Sequence, residues 1–421
     1  LLCHVWRRVV DDHLASARSR PHTEMIAGDN VGDLDGFYKE ARAKFDASDD
    51  FKERARARVV ALQSGDAETR RLWRLLVQLS TEYFNLVYSL LDVRLTDADI
   101  MGESAYNDGL TGVLDRLGAL GMLTESDGAE VVFPPGYTNR DGDPLPLIVQ
   151  KGQGGFNYAT SDLACVIDRV ERIGADLILY VVGAPQAQHL SMVFDVARLA
   201  GWLPEGTAAV HVSFGSVLGS DRKMLKSRSG ETPKLVELLE EAVARAGEAV
   251  AEKNPELADD TKATIARMLG IGAVKYADLS TDRVRDYVFD WERMLSFDGN
   301  TAPYLQYAHA RICSIFRRAG IDRSSLRAVV PQIVEKEERT LALAVLGFDS
   351  ALADTLERYS PHRLCTYLYE LATAFTGFYE HCPVLKADGA VRESRLALCD
   401  LTARVLECGL DLLGIGAPEQ M

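Results

Sequence analysis

The chain has 421 residues, enough for several domains whose cores need no disulfide or metal. Hydrophobic residues make up 47% of it, yet no apolar run approaches the roughly 18 residues that a membrane helix needs. The formal net charge of −15 argues against a protein that binds nucleic acid without selectivity over its whole surface. Any RNA contact would therefore have to be a local patch. The seven cysteines form no Cys-x-x-Cys pair, so we expect reduced thiols and no metal site.

The first two-thirds of the chain combine helices with a few strands. Residues 1–32 follow no pattern that we can interpret. Apolar side chains at i, i+3 and i+4 predict two or three amphipathic helices in residues 34–93. The next predicted elements are a helix at 109–121, a strand at 131–133, a strand at 145–150, a helix at 161–173, a strand at 176–182, a helix at 187–200 and a strand at 210–214. Strands that are apolar on both faces and alternate with helices predict a parallel α/β sheet, of which about half is visible.

The last third of the chain is predicted to be helical. The predicted helices are 234–253, 261–269, 304–318, 334–359, 363–381 and 392–413. We therefore expect an all-α bundle of about 120 residues at the carboxy end. The fold class is α/β plus all-α, with a partial Rossmann-like parallel sheet followed by a helical bundle.

A basic loop follows the predicted strand at 210–214. Residues 219–230 read GSDRKMLKSRSG, which places Lys223, Lys226 and Arg228 among serines and glycines. Exposed cations and free backbone N–H groups suit a polyphosphate whose charge grows in the transition state. A solvated basic turn without function is the alternative.

A second motif follows the predicted strand at 145–150. Residues 154–164 read GGFNYATSDLA, so a helix beginning near Thr160 would bring Tyr158 and Asp162 to one side. A carboxylate at the carboxyl edge of a strand can take a guanidinium through two parallel hydrogen bonds. The alternative is that Asp162 only favours the helix N-terminus electrostatically.

These motifs resemble those of class I arginyl-tRNA synthetases. Residues 223–227 (KMLKS) are similar to the KMSKS signature, and the continuation RSGET at 228–232 is the arginyl form. Residues 154–164 resemble the tyrosine–aspartate motif for arginine, and 287–311 resemble the junction with the anticodon domain. Residues 375–385 and 395–421 look like that helical anticodon-binding domain, so the resemblance covers about residues 33–421.

The resemblance implies roles for individual residues. Lys226 would stabilise the pyrophosphate leaving group, with Lys223 assisting. The arginine ligands would be Tyr158, Asp162 and Gln186; the ATP ligands would be His189, Lys223, Lys226 and Ser227; the tRNA contacts would be Arg228, Gln306, Arg311 and Tyr379. For Gln306 and Arg311, the alternative to contacting tRNA is a structural role. For Tyr379, the alternative is packing in the core. Core packing is the expected role of Phe375, and also of Tyr304 and Tyr307, whose alternative is a place on the polar, aromatic face of their helix.

The resemblance also implies a reaction and an organisation. The carboxylate of L-arginine attacks the α-phosphate of ATP, which carries Mg²⁺, and arginine is then transferred to tRNA(Arg). We expect a cytoplasmic monomer that does not bind membranes. The implied domains are an unassigned segment at 1–32, a helical insertion of the catalytic domain at 33–143, the second half of the Rossmann-like catalytic domain at 144–232, a helical linker and stem-contact region at 233–297, and the anticodon-binding domain at 298–421.

The sequence departs from the family pattern in two ways. Gly183 stands where the family usually has aspartate, and Pro185 where it usually has arginine. None of the eight histidines forms the H-x-G-H of the HIGH signature. We therefore expect a chain that lacks the amino-terminal part of the enzyme and is inactive alone. The alternatives are an inactive paralogue that acts as a tRNA-binding or regulatory module and, more distantly, a relative that uses arginyl chemistry to form amide bonds.

Overall fold

The computed structural model describes residues 32–152, 154–223 and 234–421, which fall into two compact units. The first unit comprises the described residues up to Ser89 together with Arg94–Ile178 and His189–Ala208. The second unit comprises Leu90–Val93, Leu179–Gln188 and Ala209–Met421. No helix in the described ranges is both long and apolar enough to cross a bilayer.

Three helices open the first unit, which confirms the expectation for residues 34–93. They are α1 (Gly32–Ala47), α2 (Asp49–Ser64) and α3 (Ala67–Leu90). Ser48 caps α2 by accepting the N–H of Phe51, and Gly65 ends it in the left-handed conformation. Arg58 of α2 donates to the buried hydroxyl of Thr69 on α3 at 2.8 Å, which links the two helices.

An antiparallel sheet of three strands follows helix α4 (Leu110–Ala119). The strands are β1 (Thr124–Ser126), β2 (Ala129–Val132) and β3 (Leu147–Gln150). The assignment of residues 145–150 to a parallel sheet was wrong for the described pairings, because β3 pairs antiparallel with β2. Its alternating burial, with Ile148 exposed between two buried residues, is typical of an antiparallel strand with one covered face. Strand β1 was missed because its three residues are polar.

Strands joined through helices come next. Helix α5 (Tyr158–Ile167) continues into a π-helical turn at Asp168–Arg172. Strand β4 (Leu177–Gly183), helix α6 (Ala187–Leu199) and strand β5 (Ala208–Phe214) follow in order. β4 and β5 are neighbours in one sheet, and their helical connection is the kind that parallel strands need. A short parallel pair, β6 (Val217–Leu218) with β7 (Tyr287–Val288), was not predicted.

The rest of the second unit is helical, as expected. Its helices are α7 (Leu235–Lys253), α8 (Asp259–Leu279), α9 (Trp291–Met294), α10 (Ala302–Ala319), α11 (Lys336–Leu346), α12 (Phe348–Arg358), α13 (Pro361–His381) and α14 (Gly389–Leu412). The single helix predicted at 334–359 was wrong, since the chain breaks at Gly347. The hydroxyl of Tyr367 donates to the Ala344 carbonyl just before this break. The largest core cluster includes Phe375, Phe378 and Tyr276, which confirms core packing for Phe375.

Helix α8 runs ten residues beyond its predicted end because glycines let it pack closely. A Cβ on Gly270 would lie 2.6 Å from the Val243 nitrogen and 2.7 Å from the Ala242 carbonyl carbon of α7. Real Cβ atoms do not approach a backbone so closely, so this contact requires glycine. The predicted helix ended just before Gly270, whereas this glycine is a point of close contact between two helices.

We expect Gly270→Ala to lower the free energy of unfolding by about 2 kcal/mol, although alanine is the better helix former. The added methyl group would push α7 and α8 apart. The matched control is Gly377→Ala in α13, where a Cβ would meet nothing within 4 Å and should raise stability by up to about 1 kcal/mol. Urea unfolding followed by circular dichroism measures both. Equal shifts in the two variants would contradict the packing argument.

Candidate functional site

The start of helix α5 is fixed by the loop that leads out of strand β3. Asn157 is the N-cap, and its side-chain oxygen accepts the Tyr158 N–H at 3.0 Å. The buried hydroxyl of Thr160 donates to the Val149 carbonyl of β3, which ties the first turn of the helix to the strand. A Cβ on Gly152 would lie 2.5 Å from the Gly128 carbonyl oxygen of the β1–β2 turn, so only glycine fits there. The helix therefore begins at Tyr158, slightly earlier than predicted.

Three of the predicted site residues meet in the first unit. Asp162 lies one turn after Tyr158 on α5, and His189 lies in the first turn of α6. His189 Nε2 is 2.6 Å from Asp162 Oδ2, and its ring centroid is 4.5 Å from that of Tyr158 at an interplanar angle of 58°. The side chain of Asp162 is 33% exposed and that of His189 only 14%. A partly exposed carboxylate beside an exposed tyrosine ring has the chemistry to bind a cation.

The position of Asp162 on α5 tests the alternative that its charge only stabilises the helix N-terminus. Asp162 is the fifth residue of α5, and the first turn of that helix contains no acidic residue. The helix dipole acts mainly within the first turn, where Asn157 already provides the cap. The electrostatic role at the helix N-terminus is therefore weak, and a contact with a ligand is favoured.

Residues that the sequence did not single out hold this cluster. Tyr137 hydroxyl is 2.6 Å from both Ser191 Oγ and Asp195 Oδ2 on α6, the helix that carries His189. Burial, together with the hydrogen bond to Asp195, raises the pKa of Tyr137. Ser161 of α5 donates to Glu103 at 2.8 Å. These partners are more than 50 residues apart in the chain, so local spacing could not reveal them, whereas the N-cap at Asn157 carries a signal that helix-start rules detect.

Gln186 lies in the second unit. It ends a 3₁₀ turn at Ala184–Gln186 directly after β4, and its side chain is exposed. The two departures from the family pattern are its neighbours. Pro185 suits the start of this turn, and a Cβ on Gly183 would make only ordinary contacts of 3.7–3.8 Å.

Lys223 is exposed at the end of a loop that also belongs to the second unit. The loop follows β6, and the Gly219 N–H donates to the Lys223 carbonyl at 2.8 Å. Asp286 accepts the Ser216 N–H at 2.6 Å, next to the parallel β6–β7 pair. A Cβ on Gly215 would lie 2.6 Å from the Arg285 carbonyl group, so the base of the loop is tightly held. Three predicted site residues, Lys226, Ser227 and Arg228, lie outside the described residues.

A cation–aromatic cluster on the second unit contains two of the predicted tRNA contacts. The guanidinium of Arg311 lies 4.4 Å from the ring centroid of Tyr379 and 5.9 Å from that of Tyr307. Tyr307 is 43% exposed, so core packing does not describe it, whereas Tyr379 is half-buried and packs on the main core. Tyr307 also meets Phe297 edge-on at 6.4 Å, and Lys253 Nζ lies 3.6 Å above the Phe297 ring. We call Lys253, Phe297, Tyr307, Arg311 and Tyr379 the cation–aromatic row.

Gln306 is placed differently from the other predicted tRNA contacts. Its side chain is fully buried, and its amide donates to the carbonyls of Met268 at 3.1 Å and Gly416 at 2.7 Å. A side chain without exposed surface cannot contact RNA in this conformation. The geometry supports the structural alternative, in which Gln306 holds the carboxy-terminal segment against α8 and α10. Tyr304 is half-buried against the main core, which agrees with the core packing expected for it.

Comparison with known proteins gives two family matches. The family described as "tRNA synthetases class I (R), catalytic domain" matches residues 14–291, and the "DALR anticodon binding domain" matches residues 305–421. The first match begins inside the segment that the sequence left unassigned. The second match covers most of the helical bundle.

Related proteins agree with these matches. The chain is 56% identical over 390 residues to an arginine–tRNA ligase of Thermobifida fusca, covering 92% of this chain and 67% of the relative. It is 48% identical to the arginine–tRNA ligase of Serratia proteamaculans, covering 93% and 68%. The arginyl-tRNA synthetase structures of Plasmodium falciparum and Thermus thermophilus superpose with TM-scores of 0.76 and 0.73, each at 28% identity. They cover 94% and 95% of this chain, which spans 68% and 72% of theirs.

Proposed function

The chain belongs to the arginyl-tRNA synthetases, the arginine–tRNA ligases of class I, and we propose that Asp162 and Tyr158 bind the substrate arginine. The observation that carries this proposal is the cluster on α5 and α6. Asp162 offers an ionisable carboxylate that is partly exposed, and the exposed ring of Tyr158 stands one helical turn before it. A planar guanidinium forms its strongest hydrogen bonds with a carboxylate and also stacks on aromatic rings. Gln186, assigned to arginine by the same resemblance, stays a prediction.

We expect Asp162→Asn to raise the dissociation constant for L-arginine about 30-fold, because a neutral amide replaces a charge-assisted acceptor. Isothermal titration calorimetry of the 421-residue chain measures it. The matched control is Asp168→Asn, which removes a carboxylate from the turn after α5. The guanidinium of Arg172 already engages Asp168 and lowers its pKa, and among the described residues no hydrogen bond or ion pair joins Asp168 to the three clustered residues. Equal affinity in Asp162→Asn and wild type would refute the assignment.

We further propose that Lys223 acts on ATP, together with Lys226 and Ser227. The resemblance to the KMSKS signature supports this assignment, and so does the tightly held loop base that presents Lys223 to solvent. Mg²⁺ would arrive with the nucleotide and screen its phosphates. Lys226 would stabilise the departing pyrophosphate with Lys223 assisting, and the ammonium groups would act by charge alone.

The chain by itself should not catalyse ATP–pyrophosphate exchange. It contains no H-x-G-H sequence and spans about two-thirds of its relatives' length. Strand β4 also presents an apolar face to solvent, with Val181 65% and Leu179 43% exposed, as expected for an incomplete sheet. Measurable exchange by the 421-residue chain would overturn this prediction.

The ATP–pyrophosphate exchange assay also distinguishes a part of a working ligase from an inactive paralogue. Fusion of the amino-terminal third of the Thermobifida fusca relative should restore exchange if the chain is part of a working ligase. Persistent inactivity of a fused protein that still binds tRNA would instead favour the inactive paralogue, for which Gly183 and Pro185 are the only support in the sequence.

We propose that the cation–aromatic row contacts tRNA(Arg) through Arg311, Tyr379 and Tyr307. Aromatic rings and guanidinium planes are the groups on which single-stranded bases stack. The match to an anticodon-binding domain over residues 305–421 supports this surface. We also propose that the protein is a cytoplasmic monomer, and that Arg228 contacts tRNA.

Arg311→Met should weaken tRNA(Arg) binding about tenfold, because the guanidinium that lies near the rings of Tyr379 and Tyr307 is lost. The matched control is Arg318→Met, which removes the same charge from an exposed position on the same helix, α10, and should cost about twofold at most. Filter binding at fixed salt measures both. Equal losses would show that only net charge matters and would count against stacking.

A further inference from the structure

We propose that His189 is a positioning residue for the arginine-binding carboxylate of Asp162 and not a ligand of ATP, a proposal that rests on the arginine site proposed above. Resemblance to the family assigned His189 to the nucleotide. In the structure its Nε2 lies 2.6 Å from Asp162 Oδ2, and both residues belong to the first unit. The proposal therefore assigns His189 to the amino acid half of the reaction.

The direction of this hydrogen bond follows from the chemistry of the two groups. An ionised carboxylate can only accept, so the proton lies on Nε2 and the imidazole donates to Oδ2. Within the described residues, Oδ1 of Asp162 accepts no hydrogen bond from the protein. The histidine thus fixes the carboxylate from one side and leaves Oδ1 for the guanidinium of arginine.

The imidazole ring contacts Tyr158 as well. Its centroid is 4.5 Å from that of the tyrosine ring, so one side chain touches both proposed arginine ligands. The helix that carries it is itself anchored, since Tyr137 hydrogen-bonds Ser191 and Asp195, two and six residues after His189 on α6. The side chain of Asp162 is therefore held in one rotamer before the substrate binds, which lowers the conformational entropy lost on binding.

A nucleotide contact is harder to reconcile with this geometry. The side chain of His189 is only 14% exposed, and the proton on Nε2 is directed at Asp162. A phosphate would have to displace an ionised carboxylate from that donor. The nearby negative charge of Asp162 would also repel a phosphate.

Two substitutions at position 189 test the proposal. His189→Gln keeps an N–H donor at similar reach, whereas His189→Met keeps volume but donates nothing. We expect His189→Met to raise the dissociation constant for L-arginine about tenfold and His189→Gln to stay within about threefold of wild type. The control His381→Met removes an exposed histidine of α13 whose partner is a backbone carbonyl, and arginine affinity should not change.

The outcomes separate this proposal from the arginine site itself. If wild type binds arginine and both His189 variants match it, or lose affinity equally with lower melting temperatures, the positioning role is refuted while the site stands. If wild type does not bind arginine, the site and the positioning role fail together. Proton–nitrogen NMR of labelled imidazoles adds a separate readout. A protected Nε2–H signal of His189 in wild type that is lost in Asp162→Asn supports the proposal, and an unprotonated Nε2 in wild type overturns it.

Discussion

The point at which helix α5 begins is the constraint on which the candidate arginine site depends. Thr160 donates from the first turn to the Val149 carbonyl of β3, and Asn157 is the N-cap that accepts the Tyr158 N–H. A start one residue later would rotate the helix by about 100° relative to its neighbours and would turn Asp162 away from His189. The hydrogen bond between strand and helix therefore decides which side chains face each other, although Thr160 is fully buried and has no surface to offer a substrate.

The second unit depends on close contact between backbone segments. Gly270 allows α7 and α8 to touch, and a Cβ on Gly272 would come within 3.0 Å of Gln306 Nε2. The same region holds the carboxy-terminal segment, whose carbonyls accept hydrogen bonds from side chains of α8 and α10. These donors are Lys275 to Gly414, Gln306 to Gly416, His309 to Pro418 and Arg317 to Glu419. The polar face of α10 thus has two functions, with Gln306 and His309 directed inwards and Tyr307 directed to solvent.

Much of this could be predicted from local sequence patterns, and the failures have physical causes. Apolar periodicity located the long helices, and the i, i+4 spacing correctly put Tyr158 and Asp162 on one side of α5. The predicted end of helix α8 lies too early in the chain because glycine lowers helix propensity. In the folded protein, Gly270 is required for the close packing of this helix. Strand β3 was assigned to the wrong sheet because a short apolar run does not specify its partner.

The candidate site shows the same division. Resemblance supplied Asp162 and His189 as site residues but not the contact between them, since they are 27 positions apart and belong to different helices. Pairs such as Tyr137 with Asp195 also arise only when the chain folds. Gln306 was predicted to contact tRNA, but its side chain is buried. The sequence of a polar, aromatic helix face does not show whether a glutamine points into the core or to solvent.

The charge of the chain bears on the RNA surface proposed above. A protein with a net charge of −15 repels a polyanion at long range, so an attractive patch must overcome that field locally. In the cation–aromatic row, Lys253 and Arg311 lie against aromatic rings, which favours stacking on bases over phosphate contacts alone. Stacking requires unpaired bases, whereas phosphate contacts can form with any RNA duplex. If the row contacts RNA as proposed, it would therefore discriminate an exposed loop from the duplex stems that make up most of a folded RNA.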